Sequence, residues 1–286
     1  MTGAASTIRY DHPVRLSALV RRLTQPNPGP FTGPGTNTFL VGARSLVILE
    51  PGEARNDDHL ERIVAAAAGS RVLAVIPSHG HEDHWTLAPA LADRLGVPIW
   101  FHGAHPVLPV DRSLEDGDEI ALDGARLDVI HTPGHTPEHL SFVLRDEGAL
   151  FPGDHVMGWS SSIIAPPEGN LREYLRSLER LAAIPGLTVA HPAHGESIPD
   201  PYARIEELAT HRRRRTVQLL TALERGSGTV AELVRQVYTD VEPSLHPAAA
   251  LSLRAHLVAL ELEGRVTADR RGDADDWESE VWALTA

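Results

Sequence analysis

Four times in this chain an apolar run ends in histidine or aspartate on a loop marked by proline or glycine. The most crowded case is the first. Val72-Leu73-Ala74-Val75-Ile76 leads through Pro77 into Ser78-His79-Gly80-His81-Glu82-Asp83-His84. Pro77 cannot donate to a ladder and Gly80 favours a turn, so neither a continuing strand nor a helix start is expected here. Residues 127–130 lead into His131-Thr132-Pro133-Gly134-His135, and Leu150-Phe151 into Pro152-Gly153-Asp154-His155. Residues 187–190 lead into His191-Pro192-Ala193-His194-Gly195. Side chains at strand ends are how sheets assemble sites, so the chain must gather these ends together.

Imidazole and carboxylate suit zinc or a similar divalent ion. The spacing H-x-H-x-D-H is richer than one ion needs. His79 and His81 can hold one metal while Asp83 and His84 turn to a second. His135, flanked by turn residues, is the best third ligand for the first ion. The two oxygens of Asp154 can bridge two cations. His194, beside Gly195, is preferred to His191 as the last ligand of the second ion. His131 reads as structural, and His139 as a packed residue or a hydrogen-bond partner behind the ligands. His102 and His105 are expected to be hydrogen-bonded or exposed.

The rest of the chain limits the chemistry. There is no cysteine, which removes disulfides, thiolate ligands and a cysteine nucleophile. There is no lysine either, so all 26 basic residues are arginines, against 39 acidic ones. A net charge of -13 does not suit a polyanion partner. No stretch has the length of a membrane span and the start of the chain lacks a signal-peptide pattern, so a soluble cytoplasmic protein is expected.

Residues 13–24 can start a sheet, residues 25–37 form a Pro/Gly loop, and residues 38–49 read as a hairpin turning at Gly42-Ala43. Helices are expected at 57–68, 87–95 and 171–183. This alternation indicates helices layered on sheets. Pro199-Asp200-Pro201 reads as a linker, dividing a catalytic domain (residues 1–200) from a small domain (residues 201–286). The second has helices at 203–224, 230–238 and 247–263, the last with Leu251, Leu253, Leu257, Leu260 and Leu262 mostly inward, then a hairpin between Val266 and Val281-Trp282. Three helices followed by a hairpin is winged-helix architecture.

The set His79-x-His81-x-Asp83-His84, His135, Asp154 and His194 closely resembles the metallo-beta-lactamase superfamily. The resemblance implies an α/β (α+β) fold, a four-layer αββα sandwich with two metals at one edge between the sheets. It assigns His79, His81 and His135 to the first ion, Asp83, His84 and His194 to the second, and Asp154 to both. Aspartate stands where some true lactamases use cysteine, so beta-lactamase activity is not expected. Loop 27–37 and the winged-helix domain make the chain similar to the lactamase-beta-like-2 group. Relatives there include a single-strand endoribonuclease and thioesterases acting on carrier-bound polyketides.

The expected activity is therefore hydrolysis by a metal-bridging hydroxide on two divalent ions, zinc by preference, with Asp83 orienting the nucleophile. A small-molecule or carrier-bound ester or thioester is the expected substrate. Single-stranded RNA is the alternative, supported by the run His211-Arg212-Arg213-Arg214-Arg215 but opposed by the acidic balance. Use of the winged helix as a DNA-binding regulator is disfavoured. Its third helix offers Arg254 and His256 but also Glu261 and Glu263, so a lid or a role in a homo-oligomer suits it better.

Overall fold

Side chains along the central strands alternate between two buried environments, which is what a strand covered on both faces requires. The computed structural model describes residues 7–55, 57–270 and 277–285. The first sheet comprises β1 (Val14–Arg15), β2 (Val20–Thr24), β3 (Asn37–Gly42), β4 (Ser45–Leu49) and, after helix α1 (Asp57–Ala67), β5 (Arg71–Ile76), bonded in that order. β4 and β5 are parallel with α1 as the crossover, and the remaining pairs are antiparallel. Helices α2 (Glu82–Trp85) and α3 (Ala88–Leu95) follow, then a small parallel pair, β6 (Trp100–Phe101) and β7 (Arg112–Ser113).

The second sheet contains β8 (Glu119–Leu122), β9 (Ala125–His131), β10 (Leu140–Leu144), β11 (Ala149–Phe151) and, after α4 (Leu171–Ala182), β12 (Val189–Ala190), in the order β12-β11-β10-β9-β8. The C-terminal part consists of α5 (Pro201–Glu224), β13 (Gly228–Thr229), α6 (Val230–Val237), α7 (His246–Leu262), β14 (Val266–Asp269) and β15 (Val281–Leu284).

The layers follow from the two-residue period of the strands. Phe39, Val41, Val47 and Leu49 point inward to meet Leu127, Val129, Leu140 and Phe142 of the opposite sheet. Their neighbours Leu40, Leu46 and Ile48 face outward, under Ile63 of α1 and Leu91 of α3. Val143 and Leu150 face outward on the other side, under Tyr174 and Leu178 of α4. The result is the αββα sandwich. The C-terminal domain has a separate core around Leu233, Leu253, Leu257 and the fully buried Trp282. Thr229 and Glu232 form a reciprocal capping box at the start of α6.

The structure departs from the sequence reading in four places. A helix does begin inside the histidine cluster: α2 starts at Glu82, two residues after Gly80, so Asp83 and His84 sit on one helical turn. Pro199-Asp200-Pro201 is not a free linker. The Asp200 side chain accepts from Ala203 N at 3.0 Å and Pro201 is the first residue of α5. Leu262 faces solvent, whereas Leu253, Leu257 and Leu260 are inward. β13 adds a third strand to the C-terminal hairpin, pairing with β15. Part of the segment joining β14 to β15, residues 271–276, lies outside the described residues.

Candidate metal centre

All seven residues singled out from the sequence come together at one edge of the sandwich. His79 and His81 follow β5, His135 follows β9, Asp154 follows β11 and His194 follows β12. Two glycines permit this closeness. A Cβ on Gly134 would lie 2.3 Å from the backbone of Tyr174, and φ there is +134°. On Gly153, at φ +50°, a Cβ would lie 2.6 Å from His139 Nε2. Only glycine lets the loops carrying His135 and Asp154 approach so near their supports.

Two groups of ligand atoms result. His79 Nε2 and His135 Nε2 lie 2.9 and 3.0 Å from His81 Nδ1. A ring nitrogen has one in-plane lone pair or one proton, so His81 Nδ1 cannot satisfy both neighbours by hydrogen bonding. A shared cation does satisfy them. In the second group, Asp83 Oδ2 lies 3.3 Å from His84 Nε2 and 3.3 Å from His194 Nε2. Asp154 stands between the groups. Its Oδ1 is 3.3 Å from His194 Nε2, and its Oδ2 is 3.7 Å from both His84 Nε2 and His135 Nε2. His84 Nε2 and Asp154 Oδ1 are buried without a hydrogen-bond partner, although ionic neighbours lie close. Orphaned atoms of that kind, on ligand-type residues, fit a pair of divalent cations.

The opposite nitrogen of each buried ring is fixed from behind. His135 Nδ1 donates to the Ile163 carbonyl at 2.6 Å, and His194 Nδ1 to the Gly35 carbonyl at 3.3 Å. His84 Nδ1 is 3.0 Å from Glu50 Oε2, and His79 Nδ1 is 2.9 Å from Ser78 Oγ. Anchoring each ring at Nδ1 turns its Nε2 toward the centre, which is how metal-binding histidines are oriented. Thr36 Oγ1 reaches Asp83 Oδ2 at 3.4 Å.

Charge is divided between the two groups. Burial lowers His79 well below the usual histidine range and brings His135 to about 4, so both rings are neutral. Burial also opposes charge on His194, but Asp154 and Asp83 outweigh it and lift the ring to about 9. His84 is likewise raised, against the effect of burial, by Asp83, Asp154 and Glu50. Burial alone would raise Asp83 and Asp154, yet the facing histidines hold both carboxylates well below their ordinary range. The centre therefore presents two firm anions.

Glu50 escaped the sequence reading. It is 4% exposed, has φ +53°, and accepts from both His84 Nδ1 and Ser78 N. A non-glycine residue in that conformation is strained, and such strain concentrates at functional sites. Its signal was present: Leu49-Glu50-Pro51-Gly52 is a fifth strand ending in an acid with proline and glycine. The other histidines stay outside the two groups. His191 Nδ1 pairs with Ser197 Oγ, His131 Nε2 with the Pro137 carbonyl, and His102 Nδ1 with the Leu114 carbonyl. His105 packs against Trp85, and His139 Nε2 accepts from Asp154 N at 3.2 Å.

A cavity of about 580 Å³ opens from His81, Asp83, His135, Asp154 and His194 toward the C-terminal domain. Phe31 and Trp159, 60% and 47% exposed, line it, as do Met157, Ile163 and Leu251.

Known proteins resemble this chain in sequence and in fold. Residues 31–194 match the metallo-beta-lactamase superfamily, and the chain belongs to that superfamily of hydrolases. Residues 229–277 match the beta-lactamase associated winged helix domain. Over nearly its whole length the chain is similar to a beta-lactamase-like protein 2 homolog of Caenorhabditis elegans. The two are 31% identical over 262 residues, covering 88% of this chain and 87% of that protein. It is also 32% identical over 275 residues to an atrochrysone carboxyl ACP thioesterase of Aspergillus chevalieri, covering 88% and 86%. Among solved structures, a beta-lactamase domain protein from Burkholderia ambifaria superposes with a TM-score of 0.85 at 23% identity, covering 99% of this chain and 96% of that one. Both domains expected from the sequence are thus present.

Proposed function

We propose that this chain is a dinuclear, zinc-dependent hydrolase of ester or thioester bonds whose acyl part occupies the 580 Å³ cavity. The observation that carries the reading is the placement of Asp154 between two three-residue ligand groups at the mouth of an apolar-lined cavity. His79, His81 and His135 would hold one ion, and Asp83, His84 and His194 the other, with Asp154 serving both. Bound there, two such ions would supply the chemistry of an activated water at neutral pH and of charge neutralisation during acyl hydrolysis. The chain's own residues do the positioning. Asp83 faces the cavity, remains anionic and orients the attacking water. A carboxylate so well stabilised passes a proton onward to the leaving group rather than keeping it. Met157, Ile163 and Leu251 offer the acyl chain an apolar surface to lie against.

The similarity to a protein named as an acyl-carrier thioesterase supports acyl hydrolysis. The fate of the arginine run also weighs against RNA. Arg212 and Arg215 are buried, while Arg213 lies near Glu179 and Glu206 and Arg214 near Asp240. α7 is not free to read DNA, because Ala255 and Ala259 pack into the core beneath α4 and Arg254 donates to the Pro166 carbonyl at 3.2 Å.

The test is release of thiol from acyl thioesters by zinc-loaded protein, measured beside simple esters and single-stranded RNA, with metal content determined on the same samples. Thioester or ester turnover that is lost on chelation and in His81→Ala is the expected result. Cleavage of RNA alone would refute it.

A further inference from the structure

Part of the cavity wall belongs to the C-terminal domain, and its chemistry differs from the apolar stretch beside it. Arg212 and Arg215 of α5 and Tyr238, just after α6, are 2%, 3% and 5% exposed, and all three line the cavity. Each keeps a buried polar atom with no partner: Arg212 Nε, Arg215 Nε and the Tyr238 hydroxyl. His211 Nδ1, on the same wall, is a fourth. Buried polar atoms are almost always paired, because an unpaired one loses its water without compensation. Four such atoms belong to residues on the wall of one cavity.

The charge balance says what kind of ligand. Arg215 is compensated, since its Nη2 lies 2.8 Å from Asp240 Oδ1 and its Nη1 donates to the Val237 carbonyl at 2.8 Å. Arg212 is not. It donates to the Ser162 carbonyl and lies 5.5 Å from the centre of the Tyr174 ring, and no carboxylate among the described residues lies within ion-pair distance. A buried guanidinium without a counter-ion is unfavourable until an anion reaches it. The local field agrees: burial together with Arg212, Arg215 and Arg214 lowers His211 to about 4.

We infer that this wall is a carboxylate-binding subsite, with Arg212 as its main partner, selecting acyl groups that carry an acidic function remote from the bond to be cut. The inference rests on the acyl-hydrolase reading and names its substrate class. The neighbouring side chains decide between possible anions. Arg212 and Arg215 line the same cavity as Met157, Ile163 and Leu251, so an anion that meets them is one carried on an apolar chain. A planar guanidinium pairs with a carboxylate in a fixed fork, which makes the selection geometric as well as electrostatic.

The test uses full-length zinc-loaded protein and thioesters of N-acetylcysteamine from pentanoyl to octanoyl, each beside its ω-carboxy counterpart. At the best-fitting length the ω-carboxy thioester is expected to have a kcat/KM about 10–100-fold higher. In Arg212→Gln the ratio falls to near one, and in Tyr238→Phe it falls severalfold. Binding without turnover is read by calorimetry with the free dicarboxylic and monocarboxylic acids, where the same preference and the same dependence on Arg212 are expected. Should Arg212→Gln fail to fold, the wild-type ratio and Tyr238→Phe decide the matter. Dicarboxylate binding through Arg212 without thioester turnover would retain the subsite and reject the acyl-hydrolase reading. Thioester turnover with no ω-carboxy preference, and equal binding of the two acids, would overturn the subsite. Tighter binding of a simple alkyl phosphate than of any dicarboxylate would overturn it too.

Discussion

Replacing Glu50 by glutamine tests whether the two ligand groups are built separately. The substitution keeps the side-chain volume and one acceptor oxygen but removes the charge facing His84 Nδ1 at 3.0 Å and Ser78 N at 3.3 Å. Of the candidate cation ligands these bonds touch only His84, and glutamine keeps an oxygen that can accept from Ser78 N, so the lost charge acts on the group containing Asp83, His84 and His194. Partners behind metal-binding histidines are worth about 10–100-fold in affinity, or about 1.4–2.8 kcal/mol. Zinc titration of metal-free protein should therefore show one site unchanged and one weakened by that factor. Ser78→Ala supplies the mirror experiment, because Ser78 Oγ lies 2.9 Å from His79 Nδ1, in the opposite group. Equal weakening of both sites by Glu50→Gln, or no change in either, would show that the division drawn from the distances is false.

Three further outcomes are expected. Zinc binding to metal-free protein at pH 7 should release about two protons, because His194, lifted to about 9, and His84 must both lose one to ligate, while His79 and His135 are already neutral. Calorimetry in two buffers of different ionisation enthalpy measures this, and identical heats in both would count against it. Gly134→Ala should destabilise the fold by about 3 kcal/mol or more, since the new Cβ meets the Tyr174 backbone at 2.3 Å, and a melting curve close to wild type would contradict the packing described. His59 is lowered to about 4 by burial, with Arg62 adding to it, and is fully buried against Thr38. The unfolded chain then binds the proton more readily, so stability falls as pH drops from about 6.5 toward 4. The loss is about 3 kcal/mol, and His59→Gln should remove that part of the acid sensitivity in denaturant unfolding.

That the candidate cation ligands meet at one place was legible because strand, breaker and His or Asp recur together, and a sheet can only present such ends along its edge. What lay beyond the sequence were the partners behind the ligands. The Ile163 carbonyl that fixes His135 is a backbone atom 28 residues away and leaves no compositional trace. Glu50 was readable by the same rule as Asp154 but stood alone, without a neighbouring histidine. The arginine run shows a different limit. Arg212 and Arg215, three apart, share the buried face of α5, while Arg213 and Arg214 turn outward. Helical period predicts that division but not which pair faces inward, which depends on tertiary packing.

One helix changes how the two domains should be regarded. α5 runs for 24 residues, about 36 Å, with Ile205, Leu208 and Ala209 in the sandwich and Leu219, Ala222 and Leu223 in the C-terminal core. It acts as a common beam: melting either end strips support from the other. A cut just before it would leave an apolar scar on the sandwich, and a cut in its middle would leave two open cores. Heat or denaturant should therefore dismantle the molecule in one cooperative step. The same shared timber carries Arg212 and Arg215, so the shape of the cavity and the survival of the fold are inherited together.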